Sequence, residues 1–159
     1  MMKEQKPLVL EILKSESVLK MSLFEQPDFA STLRHYSQAR VSFEHIKEIC
    51  VEIVAILNKA AKSVAAAKSR VKRASDDVPL LDLKKAGALL WDQLLSKQVK
   101  DRLKSAEVCD LVLSIDEELI SIPWELLYDG AQFLCLKFNV GRLLRTKNLE
   151  PHPQFRSVS

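Results

Sequence analysis

Cysteine and histidine are the residues of this chain that could carry nucleophilic chemistry, because a neighbouring imidazole can convert a thiol into a reactive thiolate. The cysteines are Cys50, Cys109 and Cys135. Neither Cys109 nor Cys135 has a histidine or a helix start beside it in the sequence. Cys50 follows His45 by five residues, a spacing that points the two side chains to different faces of a helix. We therefore expect three core thiols, and their odd number argues against a disulfide framework.

Metal and cofactor chemistry finds no matching pattern of residues either. His35, His45 and His152 stand apart, without the carboxylate or cysteine spacing of a zinc site or a catalytic triad. The acidic residues 116–118 could attract a divalent cation, but no second ligand set accompanies them, so a turn is the better interpretation. With three glycines far apart, the chain has no phosphate-binding loop. The sequence predicts no catalytic residue, no metal site and no cofactor.

A basic run is the remaining chemical feature. Its cations are Lys59, Lys62, Lys68, Arg70, Lys72 and Arg73. The simplest interpretation is the basic end of a helix, which complements the helix dipole, followed by a linker. A second is a contact surface for phosphates formed by the last five of these cations, although no aromatic residue is interleaved to stack on bases. A third is a paired helix in a homodimer or a larger assembly, because alanines in this run permit close packing.

A long amphipathic helix must position this run. From Ser42, a candidate N-cap, apolar residues recur at steps of three and four: Phe43, Ile46, Ile49, Cys50, Ile53, Leu57, Ala60 and Val64. The helix is predicted to continue to about Arg73, which makes it roughly 30 residues and about 45 Å long. A helix of this length extends beyond a compact domain of this size.

Two shorter helices follow. Asp82 is predicted to cap the first, whose apolar face comprises Leu83, Ala86, Gly87, Leu90 and Leu94. Ser96 is predicted to cap the second, which carries Val99 and Leu103. Because glycine inside a helix costs up to about 1 kcal/mol relative to alanine, we expect Gly87 to allow a close approach of its helix to the sheet. Trp91 is expected in the core or at its rim.

The strands are predicted from short apolar runs. Residues Leu8–Leu13 and Val18–Phe24 form a hairpin with a four-residue polar turn, and a helix from Leu8 to Lys14 is the alternative. The run Ser31–Val41, with a strand-like patch at residues 33–36, is interpreted as an edge strand or an ordered loop. Two further runs, Leu111–Ile115 and Phe133–Val140, are interpreted as buried strands.

A Pro-Trp-Glu turn lies between the last two runs. Pro123 has the fixed φ angle and the missing N–H that suit the first position of a helix, and Glu125 would lie in its first turn. Asp129 and Gly130 end the segment. The pattern predicts one or two helical turns from Pro123 to Tyr128.

This stretch resembles a known family. Residues 119–130, LISIPWELLYDG, together with Phe133, Leu134 and residues 138–142, resemble the signature in the front half of CHAT domains, which are caspase-like domains of the cysteine peptidase clan. The matched positions are Pro123, Trp124, Glu125, Leu126, Leu127, Asp129, Gly130 and Arg142. The helix GALLWDQLL before the motif is similar as well, so that roughly residues 83–145 are covered.

The resemblance implies a fold and a role but no active site. In CHAT peptidases the catalytic His and Cys lie downstream of the Pro-Trp-Glu motif, and no position of this chain matches either. It implies the non-catalytic N-terminal part of a CHAT-type protein, a scaffold or interaction module whose partner is a protein or the missing C-terminal caspase-like half. The alternative is a basic helical module for nucleic-acid binding or dimerisation. Trp124 and Leu127 should be buried, and Glu125 should accept hydrogen bonds from the local backbone or from Arg142.

Composition and length agree with one α+β domain. A chain of 159 residues that is 47% apolar can bury a sizeable core. We predict a single domain over residues 1–148, with a long amphipathic helix and two shorter helices on a small, incomplete β-sheet, and an extended or disordered tail over residues 149–159. A net charge of +3 does not by itself imply nucleic acid or a membrane. No segment approaches the roughly 20 apolar residues of a membrane span, and no signal-peptide pattern is present, so we expect a soluble cytoplasmic protein.

Overall fold

The computed structural model describes residues 5–26, 35–66 and 77–146. Within these ranges the strands are β1 (Leu8–Ser15), β2 (Val18–Glu25), β3 (Ser37–Arg40), β4 (Asp110–Asp116) and β5 (Asn139–Arg145). The helices are α1 (Phe43–Ala66), α2 (Asp77–Leu94), α3 (Lys97–Ser105) and the single turn α4 (Leu134–Lys137). Two 3₁₀ turns, Glu117–Leu119 and Trp124–Leu126, lie between β4 and α4. The α+β class predicted from the sequence is confirmed.

The strands form one mixed sheet in the order β3-β2-β1-β4-β5. β1 and β2 pair antiparallel, which confirms the predicted hairpin and rules out the alternative helix from Leu8. Because Ser15 pairs with Val18, the loop has only two residues rather than four. Glu16 has a φ of 55°, the left-handed conformation that a two-residue hairpin turn requires. β1 pairs parallel with β4, and β4 pairs parallel with β5.

One face of this sheet packs against the helices. It is paved by apolar side chains that the strand register places side by side: Leu10, Ile12, Met21, Leu23, Leu113 and Ile115. The helices contribute their predicted apolar residues to the same cluster, which include Ile46, Ile49, Ile53, Ala86, Leu90, Leu94, Val99 and Leu103. Trp91 is 4% exposed and belongs to the core, as expected.

The helix boundaries were predicted with mixed success. α1 begins at Phe43, directly after Ser42, but its predicted continuation to Arg73 lies outside the described residues. Ser96 caps α3 as predicted, and its Oγ accepts a hydrogen bond from the Val99 backbone N–H at 3.3 Å. The predicted cap at Asp82 is wrong, because α2 is already helical from Asp77. Pro79 does not stop this helix, since a proline in the first turn lacks only an N–H that has no helical partner there.

The predicted strand over Phe133–Val140 is also wrong for most of its length. Residues Leu134–Lys137 form the helical turn α4, and β5 begins only at Asn139. The turn places Leu134 and Phe138 on one side, where both are buried, and leaves Leu136 exposed. Leu111–Ile115, in contrast, lies within β4 as predicted.

The predicted edge strand is confirmed in type but shifted in position. β3 comprises Ser37–Arg40, and the two described residues of the strand-like patch, His35 and Tyr36, precede it. The rest of that patch and the predicted tail over residues 149–159 lie outside the described residues.

Candidate functional site

The Pro-Trp-Glu turn is built around a fully buried indole. Trp124 has no exposed surface, and its Nε1–H donates to the Leu119 carbonyl at 3.0 Å. Leu127 is equally buried, so both predicted burials are confirmed. The segment makes one 3₁₀ turn, Trp124–Leu126, rather than up to two helical turns. Pro123 stands immediately before this turn instead of in its first position.

An ion pair ties this turn to strand β5. Arg142 donates from Nε to Glu125 Oε1 at 2.6 Å and from Nη2 to Glu125 Oε2 at 2.5 Å, which is the forked arrangement that guanidinium and carboxylate groups prefer. It also donates to the carbonyls of Ile120 and Ile122, at 2.8 and 3.0 Å. These hydrogen bonds from Arg142, helped by its positive charge, hold the pKa of Glu125 below its usual value. The predicted Glu125–Arg142 contact is confirmed.

Helix α2 touches the turn at a glycine. A Cβ atom on Gly87 would lie 2.3 Å from the Leu126 carbonyl oxygen. The Gly87 carbonyl in turn accepts a hydrogen bond from the Tyr128 N–H at 3.1 Å. A close approach at Gly87 was predicted correctly, but it is made to the Pro-Trp-Glu turn and not to the sheet. Gly87 therefore allows α2 to pack directly against the motif that carries the family resemblance.

Asp129 and Gly130 reverse the chain after the turn. The Asp129 carboxylate accepts hydrogen bonds from the N–H groups of Ala131 and Gln132, both at 2.8 Å. Gly130 has a φ of 101°, which side-chain-bearing residues rarely adopt. Asp129 and Gly130 thus form the chain reversal that leads from the Pro-Trp-Glu turn to α4.

A polar cluster on the opposite face of the sheet was missed from the sequence. Glu11 lies between the core residues of β1 in the sequence, so its side chain points away from them, and only 3% of it is exposed. Its carboxylate accepts hydrogen bonds from Tyr36 Oη and from Arg145 Nη2, each at 2.6 Å. Arg145 also donates from Nε to Ser114 Oγ at 3.1 Å. An acidic residue inside an apolar run was the available signal, but its partner lies 134 positions away.

The cysteines are less buried than predicted. Cys50 and Cys109 are half-buried against the core, and burial raises the pKa of both thiols. Cys135 is exposed, so its assignment to the core is wrong. The error follows from the mistaken strand, because in the helical turn α4 it is Leu134, not Cys135, that faces inward.

Of the acidic residues 116–118, Glu117 and Glu118 lie in a turn as interpreted, whereas Asp116 is the last residue of β4. Asp116 is buried and accepts a hydrogen bond from the Lys14 backbone N–H at 2.8 Å, and Glu118 lies 3.3 Å from the Lys14 Nζ. Residues Glu117–Leu119 form the first 3₁₀ turn. Across residues 5–26, 35–66 and 77–146, no group of three or more His, Cys, Asp or Glu side chains could hold a metal ion.

Of the five residues of the proposed basic contact surface, the structure describes Lys62. Lys62 is exposed on α1. Lys68, Arg70, Lys72 and Arg73 lie outside the described residues.

In the part of the chain that is described, no helix has the length and apolar character needed to cross a membrane.

Comparison with known proteins bears on the C-terminal part of the chain. Residues 84–158 match the family model of the CHAT domain. The match starts within α2 and covers the Pro-Trp-Glu turn, α4 and β5. Comparisons with curated proteins and with solved structures gave no match. The predicted resemblance is confirmed over residues 84–158, which are similar to the CHAT domain, a family whose general context is the caspase-like clan.

Proposed function

We propose that this chain is a non-catalytic N-terminal part of a CHAT-type protein and acts as a scaffold that binds a protein partner at strand β5. The observation that carries the proposal is the position of β5. It forms one end of the sheet, and among the described residues only β4 pairs with it. Its outer edge can therefore accept another strand.

The side chains of β5 favour strand addition. Leu143 is 59% exposed and Leu144 is 45% exposed. Because neighbouring residues of a strand point to opposite faces, these two leucines place one apolar side chain on each face of the sheet at its open edge. An added strand with apolar residues would cover both leucines and satisfy the outward backbone groups at the same time.

Ion pairs on both faces of the sheet support the edge in the unbound chain. On one face Arg142 is fixed by Glu125, and on the other face Arg145 is fixed by Glu11. A strand that is already ordered loses little conformational entropy on association, which leaves more of the interaction energy for affinity. The partner that suits this edge is the caspase-like half implied by the family resemblance, or another protein that presents an extended segment.

A scaffold role agrees with the chemistry of the thiols. A nucleophilic cysteine needs a lowered pKa, whereas half-burial raises the pKa of Cys50 and Cys109. We expect no turnover of fluorogenic peptide substrates by this chain. Robust hydrolysis that disappears on replacing Cys50, Cys109 or Cys135 with serine would contradict this part of the proposal.

Strand addition can be tested by selecting peptides from a display library for binding to the folded chain. Selected binders should be extended segments with alternating apolar residues, and they should slow amide hydrogen exchange at residues 139–145. The double substitution Leu143→Lys with Leu144→Lys should abolish binding. Leu89→Lys is the matched control, because Leu89 is 43% exposed on α2 and lies outside β5. Binders that protect another surface, or that tolerate the two lysines on β5, would refute the proposal.

A further inference from the structure

Helix α1 carries an apolar stripe that does not face the sheet. Its residues recur at steps of three and four, are all exposed and are apolar except for Asn58: Val51, Val54, Asn58, Ala61 and Ala65. Val51 is 64% exposed and Val54 is 56% exposed, whereas Ile49 and Ile53 of the same helix belong to the core. We call these five residues the outer stripe.

The C-terminal half of α1 extends past the core. Leu57 is 44% exposed and Val64 is 69% exposed, although both lie on the helix face that contains the core residues Ile46 and Ile53. Along residues 57–65, every residue except Ala60 is exposed. This half of the helix therefore presents apolar side chains for which the described part of the chain supplies no cover.

The charges beside the outer stripe are self-complementary. Glu48 and Lys62 lie along the same side of the stripe, each seven residues from Ala55. We infer that α1 pairs with α1 of a second copy in antiparallel orientation, with a two-fold axis near Ala55. In this arrangement Glu48 of each copy faces Lys62 of the other, as in the flanking positions of an antiparallel coiled coil. In a parallel pair, Glu48 and Lys62 would instead face the apolar residues Phe43 and Leu57 of the second copy, so the ion pairs would be lost.

The same register matches the apolar residues. Val51 lies opposite Ala61 of the second copy, and Val54 lies opposite Asn58. On the other side of the stripe, Cys50 lies opposite Val64, and Leu57 meets its own symmetry mate. Within the outer stripe, each valine thus faces a small or polar residue, so the two helices can approach closely, and Asn58 fixes the register at some expense of stability.

A groove beside α1 accommodates the second copy. It has a volume of about 490 Å³, and its lining includes Cys50, Val51, Val54 and Ile122. The antiparallel register brings the projecting Val64 of the second copy to Cys50, at this groove. The N-terminal half of each α1 therefore receives the C-terminal half of the other. A partner helix whose charges were all acidic would be repelled by Glu48, and one whose charges were all basic would be repelled by Lys62. A second copy of α1 carries both charges in the matching positions, which favours it as the occupant.

Sedimentation velocity across a concentration series tests the pairing. The chain should shift from monomer to dimer, and Val54→Glu should weaken the dimer at least about tenfold by placing a charge in the seam. Val54 is exposed in the monomer, so this change should leave the melting temperature unaltered. A chain that stays monomeric to about 1 mM, or a dimer that Val54→Glu does not weaken, overturns the inference.

A charge swap tests the orientation. Glu48→Lys and Lys62→Glu should each weaken the dimer by about threefold, since each creates two like-charge contacts. The double variant should return to within about twofold of the parent, because the opposite charges again face each other. Failure of the double variant to recover would contradict the antiparallel register.

Disulfide trapping gives an independent readout. The tested variant combines Cys135→Ser, which removes the exposed thiol, with Val64→Cys. On mild oxidation it should form a covalent dimer through a disulfide between Cys50 of one copy and the new thiol at position 64 of the other. Without Val64→Cys, the two Cys50 residues lie 14 positions apart in register, or about 21 Å, and should not couple. Rapid coupling of Cys50 to its own symmetry mate would indicate a parallel pair and overturn the inference.

Leu143→Lys with Leu144→Lys should not affect the dimer, which separates this surface from the β5 edge.

Discussion

The two edges of the sheet are built differently. β3 is four residues long, Ser-Gln-Ala-Arg, and its exposed residues are Gln38 and Arg40. β5 is seven residues long and exposes two leucines. Short strands and charged side chains are common ways in which proteins prevent unwanted strand pairing at an edge. β3 has this protection, whereas β5 lacks it along its apolar segment.

The interactions that hold the two edges differ in the same way. Ser37 of β3 makes neutral contacts, with its Oγ 2.6 Å from Ser96 Oγ and 3.4 Å from the Met21 carbonyl oxygen. β5 is held by two arginines, each paired with a carboxylate on a different face of the sheet. Among the described residues, β5 is thus held by charged hydrogen bonds, whereas the Ser37 contacts of β3 are between neutral groups.

The largest effect should come from removing the buried indole of the Pro-Trp-Glu turn, to which Arg142 ties β5. Trp124→Ala would leave a large cavity and remove the hydrogen bond to the Leu119 carbonyl, so we expect a loss of about 3–5 kcal/mol in the free energy of unfolding. Urea denaturation at neutral pH measures this loss. Leu136→Ala is the control, because Leu136 is 72% exposed and should change stability by less than about 0.5 kcal/mol. Equal stability of Trp124→Ala and the parent would show that β5 does not depend on this turn.

A smaller effect is expected at the contact between α2 and the turn. Gly87→Ala places a Cβ atom 2.3 Å from a backbone oxygen that cannot move freely. We expect a loss of about 1–3 kcal/mol, although alanine is the better helix former by up to about 1 kcal/mol. Gly141→Ala on β5 is the matched control, since no atom lies within 4 Å of its added Cβ. Thermal unfolding of both variants provides the comparison, and a stabilised Gly87→Ala would contradict the close approach.

The ion pair at β5 should make stability depend on pH. Because Arg142 lowers the pKa of Glu125 in the folded state, the pair contributes stability above the unfolded pKa of glutamate, about 4.3, and loses it as the pH falls through the folded pKa. Arg142→Gln should therefore cost about 1 kcal/mol near neutral pH, a modest value because both side chains are partly exposed.

This pH dependence can be checked by urea unfolding at several pH values. The difference between the parent and Arg142→Gln should shrink below about pH 4.3. Lys100→Gln is a control for general charge effects, because Lys100 pairs with Asp92 away from β5. A difference that grows as the pH falls would have the wrong sign for this ion pair.

The smallest effect is expected at the protected edge. Ser37→Ala removes hydroxyl contacts between β3, α3's cap residue Ser96 and β2, and we expect a loss of about 0.5 kcal/mol, the low end of the range for a hydrogen bond between neutral groups. Ser37→Thr keeps the hydroxyl and should lose less. Chemical denaturation distinguishes the two, and a loss as large as that of Trp124→Ala would reverse the contrast drawn between the edges.

The sequence by itself determined the features that depend on local periodicity and capping. The start of α1, the Ser96 cap and the hairpin of β1 and β2 were all predicted from patterns within a few residues. The Pro-Trp-Glu motif also identified Trp124 as buried, because a large apolar side chain between two buried segments is expected to pack into the core that they form.

Only the tertiary structure decided the features that depend on partners far along the chain. A short apolar run such as Phe133–Val140 has no distinctive period, so packing of Leu134 and Phe138 against the core selected a helical turn before β5. Glu11 pairs with Arg145 because the sheet brings β1 near β5 through β4. Local patterns specify which backbone conformation a segment favours, but the burial of its side chains against distant segments determines which conformation it adopts.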